Sequence, residues 1–556
     1  MLKLLELPDC FYPNQPTLIF PSSPTPKHSL YLSNLDDQKF LRFSIKYLYL
    51  FKNSISPDIL KYSLSKVLVH YYPLAGRLRA STEVDQKLEI DCNGEGAVFA
   101  EAFMDITAEE FLELSMKPNK SWRKLLYRAE AQSFLDIPPL VVQVTNLRCG
   151  GMIVCTSINH CVCDGIGTSQ FLHAWAHIIT KPNLDPLIVP LHNRHMLKPR
   201  NPPKTTFTHP EYVRIAPREN SYLDMGINHF LQSQTLVPSS LTFTPSHILH
   251  LKRQCIPSLK CTTFEVLASH TWRSWVRALD LSPSLNVKLL FSVNVRKKLI
   301  PEVPQGYYGN GFVLGCAQTC AKDLVISNMN YGVRLVQQAK SSLTDDYARS
   351  MIDLLEDKSV KTDLSMSLVI SQWSRLGLED LDFGEGKPLH MGPLTSDIYC
   401  LFLPVVGDFD AVRVQVSVPE SVHDKFEYYM NECLGVACNL LPELLAIAKG
   451  LKLAWDRGYR KIICHSDSKD ALRLLYANQV GFDKYRALIF KIRELLRRDW
   501  TIRIEHTFRE ANFCADFMAK FATSCDNGLM IWDEPPQGLQ QLLLADIMRI
   551  SFPIIV

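Results

Sequence analysis

No stretch of the 556-residue sequence approaches the roughly 20 consecutive apolar residues that a membrane-spanning helix needs. The first ten residues, MLKLLELPDC, break their apolar run at Glu6, Pro8 and Asp9. They lack the apolar core and small-residue cleavage site of a secretory signal. Charge of one sign is missing as well. The 60 Lys and Arg residues face 57 Asp and Glu residues, a net of +3, far from the strongly basic balance of proteins that bind nucleic acid or anionic membranes. The 16 cysteines run from Cys10 to Cys525 without regular spacing, unlike the dense frameworks of small secreted domains. They read as reduced thiols of a cytoplasmic protein. No repeat and no low-complexity tract is present. What remains is ordinary globular composition, 47% hydrophobic and 21% charged, in a chain long enough for about three domains at ~150 residues each.

Periodicity and punctuation organise the chain. Residues 56–72 read as a helix, with Ser56 as cap, Pro57 in the first turn and an apolar stripe of Leu60, Leu64, Val67, Leu68 and Tyr71 ended by Pro73 and Gly76. Residues 87–102 read as two strands joined by the turn signal Asn93-Gly94. An apolar strand from Met152 to Ile158 leads into His160-Cys161-Val162-Cys163-Asp164-Gly165-Ile166-Gly167, and a helix with Phe171, Ala174, Trp175 and Ile178 on one face follows. Prolines crowd residues 192–217, which reads as a crossover linker. Thr262 and Glu265 form a capping box for a helix carrying Phe264, Trp272 and Trp275. The last strand of this part alternates Val412, Val414, Val416 and Val418, and the character changes near residue 431. The resulting division is 1–191, 192–217, 218–430 and 431–556.

His160 stands where a strand ends, with Asp164 four residues on beside Gly165 and Gly167. An imidazole with a pKa near 6.5 can take a proton at neutral pH and return it within one cycle. A hydroxyl is a poor nucleophile until its proton is removed, whereas a thioester is already activated. One well-placed base is therefore the least machinery that acyl transfer to a hydroxyl requires. Asp164 reads as a lock on the turn. Two other readings stay open on spacing alone. His-x-x-x-Asp arises by chance in long chains, and His160 with Cys161 and Cys163 offers metal-ligating atoms, although crowded and without a partner pair at zinc-finger spacing.

This stretch resembles the HxxxDG signature of the BAHD family of plant acyltransferases, here His160, Asp164 and Gly165. The likeness runs through about residues 1–430. It includes Tyr71-Tyr72-Pro73-Leu74-Ala75-Gly76-Arg77, Asn294-Val295-Arg296, Tyr308-Gly309-Asn310 and, at the place of the family's DFGWG, Asp382-Phe383-Gly384-Glu385-Gly386. Phrases such as HCVCDGIGTSQFLHAWAH resemble a cuticle-forming branch, which implies fatty or hydroxy-fatty substrates of cutin type. The resemblance implies an α/β, two-domain, chloramphenicol acetyltransferase-like fold with a channel between the halves. It implies direct attack of a deprotonated hydroxylated acceptor on acyl-CoA, no cofactor beyond that co-substrate, no metal, and a monomer. His160 would be the base and Asp164 would pair with Arg296. Thr262 and Thr263 would contact coenzyme A, and Asp382, Gly384 and Gly386 would support the structure. Glu385 replaces the family's tryptophan. A carboxylate cannot donate the hydrogen bond by which an indole polarises a thioester oxygen, so oxyanion stabilisation at that position is open.

Residues 443–521 carry a second signal. A helical stripe of Leu444, Ile447, Ala448, Leu451 and Trp455 ends at Gly458, a strand follows to Cys464, and Ser466-Asp467-Ser468 comes next. A helix with Leu488, Ile489, Ile492, Leu495 and Leu496 precedes an alternating strand from Thr501 to Thr507, then Glu510-Ala511-Asn512. This resembles the RNase H-like domain of plant retroelement-type sequences, at Glu443, Asp467, His506 and Asp516. The resemblance lacks the opening strand that supplies the family's first aspartate. It therefore implies a truncated α/β module with a degenerate carboxylate set and no metal. Nucleic-acid binding, or cleavage of an RNA–DNA hybrid, is the alternative function.

Overall fold

A computed structural model describes residues 6–82, 86–114, 120–215, 234–255, 258–394, 399–432, 440–476, 486–507, 514–515, 517–518 and 534–547. The chain divides into two compact units, Met1–Met430 and Asn431–Val556.

The first unit is built on two six-stranded sheets. One runs, in spatial order, Thr17–Ile19, Ala97–Met104, Leu140–Leu147, Met152–Asn159, Ser44–Phe51 and His390–Pro393. The other runs Leu236–Phe243, Asp408–Pro419, Cys400–Val405, Ser367–Gln372, Asn286–Asn294 and Phe312–Cys320. All eight residues of Met152–Asn159 are buried, which is what an apolar run without alternation requires of a strand covered on both faces. The strand His390–Pro393 belongs to the second half of the sequence yet pairs with Ser44–Phe51, Pro393 opposite Tyr47. It covers what would otherwise be an open edge, so the two halves share a sheet.

Helices Pro57–His70 and Gly165–Thr180 pack on the first sheet through Leu60, Leu64, Val67, Phe171 and Trp175, and Trp175 Nε1 donates to Ser63 Oγ at 2.9 Å. Ser56 sits at the expected cap position, but its hydroxyl makes no capping bond. The turn closes instead through the Leu60 N–H and the Ser56 carbonyl. The Asn93-Gly94 signal is a turn, with Gly94 at φ 74° and Gly96 at φ 90°, but the strands around it do not pair. Leu88–Asp91 joins Ser29–Tyr31 and Arg77–Ala80 in a three-stranded sheet, while Ala97–Met104 enters the six-stranded one. Two left-handed glycines within three residues redirect the chain, and a local turn does not choose its strand's partner. The capping box at Thr262 and Glu265 forms as read from the sequence.

The proline-rich crossover, described as far as residue 215, is pinned down. The strand Tyr212–Arg214 pairs with Val360–Thr362, and Arg200 holds Asp353 through its backbone N–H at 2.7 Å and its Nε at 2.6 Å. Buried Glu211 accepts from Tyr347 at 3.0 Å and lies 3.1 Å from His209 Nδ1, while His209 Nε2 lies 2.9 Å from Ser350 Oγ. Although this resembles a Ser-His-acid relay, the Ser350 Oγ also accepts the backbone N–H groups of Thr206 and Phe207, so its lone pairs are occupied. It is a latch.

The second unit packs helices Leu440–Asp456, Lys469–Tyr476 and Arg486–Leu496 around Leu444, Ile447, Leu451, Ile489, Ile492 and Ile504. Its strands Lys461–Ser466 and Thr501–His506 are parallel, Ile462 opposite Ile502, and among the described residues they form a sheet of two. No described helix is long and apolar enough to cross a membrane.

Ser350→Ala orphans a buried histidine nitrogen and two backbone N–H groups. Stability should fall by about 1–3 kcal/mol, read as a lower thermal midpoint, with acyl transfer by the folded protein unchanged.

Candidate active site

His160 is the first residue past the strand Met152–Asn159, and its N–H donates to the Phe43 carbonyl at 2.9 Å. Sheet pairing thus fixes its backbone to the neighbouring strand. Its ring meets Phe43 edge-on with centroids 5.2 Å apart and lies 6.0 Å from Phe312. It faces a cavity of about 490 Å³. Residues of both sheets line that space: Ser44, Ile45 and Tyr47 from one, Ser292, Asn294, Phe312 and Ser371 from the other. Tyr47 and Trp373 stack along one wall, 4.4 Å apart and 13° from parallel. The lining is mostly apolar, as a site that holds an aliphatic or aromatic substrate demands.

Burial, the largest influence, lowers the His160 pKa below 6.5, against the opposing pull of its own carbonyl, Asp164 and Asn310. The neutral imidazole is the favoured form at neutral pH, as a base must be.

Asp164 does not touch the imidazole. It caps helix Gly165–Thr180, accepting the Gly167 N–H at 3.0 Å, and receives Arg296 through both terminal nitrogens, each at 3.0 Å. The Gly311 N–H adds a further bond at 3.1 Å. Burial pushes the Asp164 pKa upward, but Arg296 and these N–H donors together hold it below its ordinary value, so the carboxylate stays charged. Expected pairing and observed pairing coincide here. Gly167 is required by close approach, since a Cβ there would stand 1.9 Å from the Tyr308 carbonyl oxygen. Gly165 lies on the cavity wall, where a Cβ would stand 2.9 Å from Leu376.

The segment Asp382–Gly386 sits elsewhere. Asp382 accepts the N–H groups of Gly384 at 2.7 Å and Gly386 at 3.0 Å, both glycines having positive φ. The buried Phe383 packs on Phe51 and Trp175. Glu385 is exposed beside Asn53, and none of the five residues lines the cavity. Glu385, at the place of the family's tryptophan, is therefore not among the groups on the cavity wall. Thr262 and Thr263 open the 17-residue helix Thr263–Leu279, where the Thr262 Oγ1 accepts the Glu265 N–H at 3.3 Å. They do not line the cavity either.

Two groups escaped the sequence reading. Ser371 lines the cavity, and its Oγ accepts from Trp373 Nε1 at 3.2 Å, leaving its own O–H to donate. The signal was there, since Ser371 ends the apolar run Leu368–Ile370, and polar residues at strand ends commonly carry function. Asp36 and Arg194, both fully buried as an ion pair at 3.1 Å, were the second omission.

In the second unit the register sets Ser466 opposite His506, with Asp467 next in the chain, and Glu443 Oε2 accepts from Ser466 Oγ at 3.1 Å. Three of the four resemblance positions therefore lie at or beside the C-terminal ends of the two strands. Asp516 lies outside the described residues. Among the described residues no group of three or more His, Cys, Asp or Glu side chains is placed to hold a metal ion.

Two mixed sheets enclose this cavity, with a buried imidazole at a strand end on its wall. The chain belongs to the Transferase family, which comprises the BAHD acyltransferases. That family matches residues 14–433, and the protein is an acyltransferase. It is 36% identical over 427 residues to the fatty alcohol:caffeoyl-CoA acyltransferase of Arabidopsis thaliana, covering 75% of this chain and 97% of the relative. It is 35% identical to the omega-hydroxypalmitate O-feruloyl transferase of the same plant, covering 74% and 91%. The crystal structure of vinorine synthase shares the fold, with a TM-score of 0.59 at 22% identity over 76% of this chain and 98% of that one. Residues 426–522 match the Reverse transcriptase-like family.

Asp164→Ala leaves Arg296 buried without its counter-charge and uncaps the helix. The expected loss is about 3–5 kcal/mol, seen as a large fall in thermal midpoint together with loss of activity. Gly167→Ala should also destabilise, by about 1–3 kcal/mol or more, because the obstacle is backbone that cannot yield cheaply.

Proposed function

We propose that the protein transfers an acyl group from a coenzyme A thioester to the hydroxyl of a long-chain or hydroxy-fatty alcohol, with His160 as general base. The observation that carries this reading is the buried imidazole, held neutral on the wall of a mostly apolar cavity. The names of the two Arabidopsis relatives supply the substrate class. The neutral imidazole takes the acceptor's proton as its oxygen attacks the thioester carbonyl. The tetrahedral oxyanion then needs a donor, and the Ser371 hydroxyl, whose lone pair already faces the Trp373 indole N–H, is the cavity group suited to supply one. When the C–S bond breaks, the sulfur leaves with the proton returned from His160. No acyl-enzyme forms. Asp164 and Arg296 hold the turn.

Thr262 and Thr263 are read as coenzyme A contacts on the family resemblance, at the start of helix Thr263–Leu279. The second unit is read as a fused, truncated RNase H-like module without nuclease activity. The domain limits at residues 191, 217 and 430 remain part of this proposal, as do a cytoplasmic location and a monomeric state.

The decisive assay follows free thiol while the protein is given acyl-CoA and a fatty or omega-hydroxy acceptor. His160→Ala should lower turnover on the order of 100- to 10,000-fold without shifting the thermal midpoint, and full activity in that variant removes His160 from the mechanism. Because the pKa of His160 is lowered, kcat/KM should stay level from neutral pH upward and fall on acidification, with a midpoint below 6.5. A midpoint above that value contradicts the buried-base reading. With magnesium and an RNA–DNA hybrid the protein should leave the hybrid uncut.

A further inference from the structure

An enzymatic general base is ordinarily oriented by a third group bonded to its far nitrogen. Among the described residues, that nitrogen has no hydrogen-bond partner. His160 Nδ1 is buried without a hydrogen bond, and the oxygens of Asp164, the acid four residues away, are taken up by Arg296, Gly167 and Gly311. Orientation of the ring must come from elsewhere.

Two further donors hold the backbone of the His160 turn. The Asn310 amide donates to the His160 carbonyl at 2.7 Å, and Arg194 Nη2 donates to the Val162 carbonyl at 2.7 Å. Both donors converge on one carboxylate. Asp36 Oδ1 accepts from Arg194 Nη1 at 3.1 Å, from the Asn310 side chain at 3.0 Å and from the Asn310 N–H at 2.8 Å. Its other oxygen accepts the N–H of Ser33 at 3.0 Å and the hydroxyl at 2.6 Å. Asp36, Arg194 and Asn310 are each fully buried. The direction of the Asn310 amide is dictated by its partners: the Asp36 carboxylate and the His160 carbonyl both only accept, so the NH₂ end must face them. A Cβ on Gly309 would stand 1.2 Å from Arg194 Nη1, so the glycine makes room for the guanidinium.

We propose that Asn310 and Asp36 are positioning residues of the acyl transfer, orienting His160 by holding its backbone carbonyl. The inference rests on the reading of His160 as the base. With Phe43 O holding the His160 N–H and Asn310 holding the His160 carbonyl, both peptide planes that flank its Cα are fixed, and the ring is left only its side-chain torsions between Phe43 and Phe312. An undirected Nδ1 is tolerable when the backbone is this constrained. A displacement of about 1 Å at a catalytic group can lower the rate on the order of 100-fold.

The test is a cycle of variants in the full chain: wild type, Asn310→Ala, His160→Ala and the double variant, each assayed for turnover and for acyl-CoA affinity. Asn310→Ala should reduce kcat on the order of 10- to 100-fold with the acyl-CoA Kd within about twofold. In the His160→Ala background the same change should have no further effect, because a residue that acts only through the base has nothing left to act on. A kcat within about twofold of wild type overturns the proposal, and so does an equal loss in both backgrounds, which marks general damage. Should Asn310→Ala fail to bind acyl-CoA, the shape-preserving Asp36→Asn carries the same cycle with the same outcomes. Ser350→Ala, which disturbs the distant latch, is the control for lost stability alone. An inactive wild type refutes the functional reading itself, whereas an active wild type with an indifferent Asn310 refutes only its positioning role.

Discussion

The first unit depends on how a single turn, His160 to Asp164, is held. Two buried ion pairs flank it. Arg296 meets Asp164, and Arg194 meets Asp36. A buried ion pair contributes little net stability compared with apolar packing, but losing one member leaves a charge that nothing offsets. Such pairs define geometry more than they strengthen it. Around this turn they join strands, the crossover and the segment Tyr307–Gly311 from distant parts of the chain, so that the second half of the unit constrains the loop that the first half supplies.

Electrostatics and burial oppose each other at both groups. Burial lowers the pKa of the imidazole and would raise that of the carboxylate, yet Arg296 and the N–H groups of Gly167 and Gly311 keep Asp164 ionised. The result is a neutral base four residues from a charged anchor, with the two roles kept apart. Gly167 and Gly309 permit it, because a carbonyl oxygen in one case and a guanidinium in the other fill the space that a Cβ would take. The cavity itself follows from the sheets. Strand ends from both contribute its walls, so side chains such as Ser371 and Phe312 can face His160 although more than 150 residues separate them from it in sequence.

Much of the local structure was legible in the sequence because it depends on near neighbours. The capping box of Thr262 and Glu265, the apolar strand before His160 and the stripe of the first helix are all set by spacing within one or two turns. The pairing of Asp164 with Arg296 came from a family resemblance and not from any pattern that a single sequence displays. The partners of Leu88–Asp91 and Ala97–Met104 were not legible, since a turn signal fixes direction and leaves the choice of sheet to long-range packing. Nor was the absence of Glu385 from the cavity wall.

By itself the sequence determined where strands and helices begin, that an imidazole stands at a strand end, and that the chain changes character near residue 431. Only the tertiary structure decided which carboxylate serves which arginine, that Nδ1 of the base makes no hydrogen bond among the described residues, and that Asp36 reaches His160 by way of Asn310. The physical reason is range. Propensity, capping and periodicity act over a few residues, whereas a buried charge is satisfied by whichever opposite charge the whole fold brings within about 3 Å.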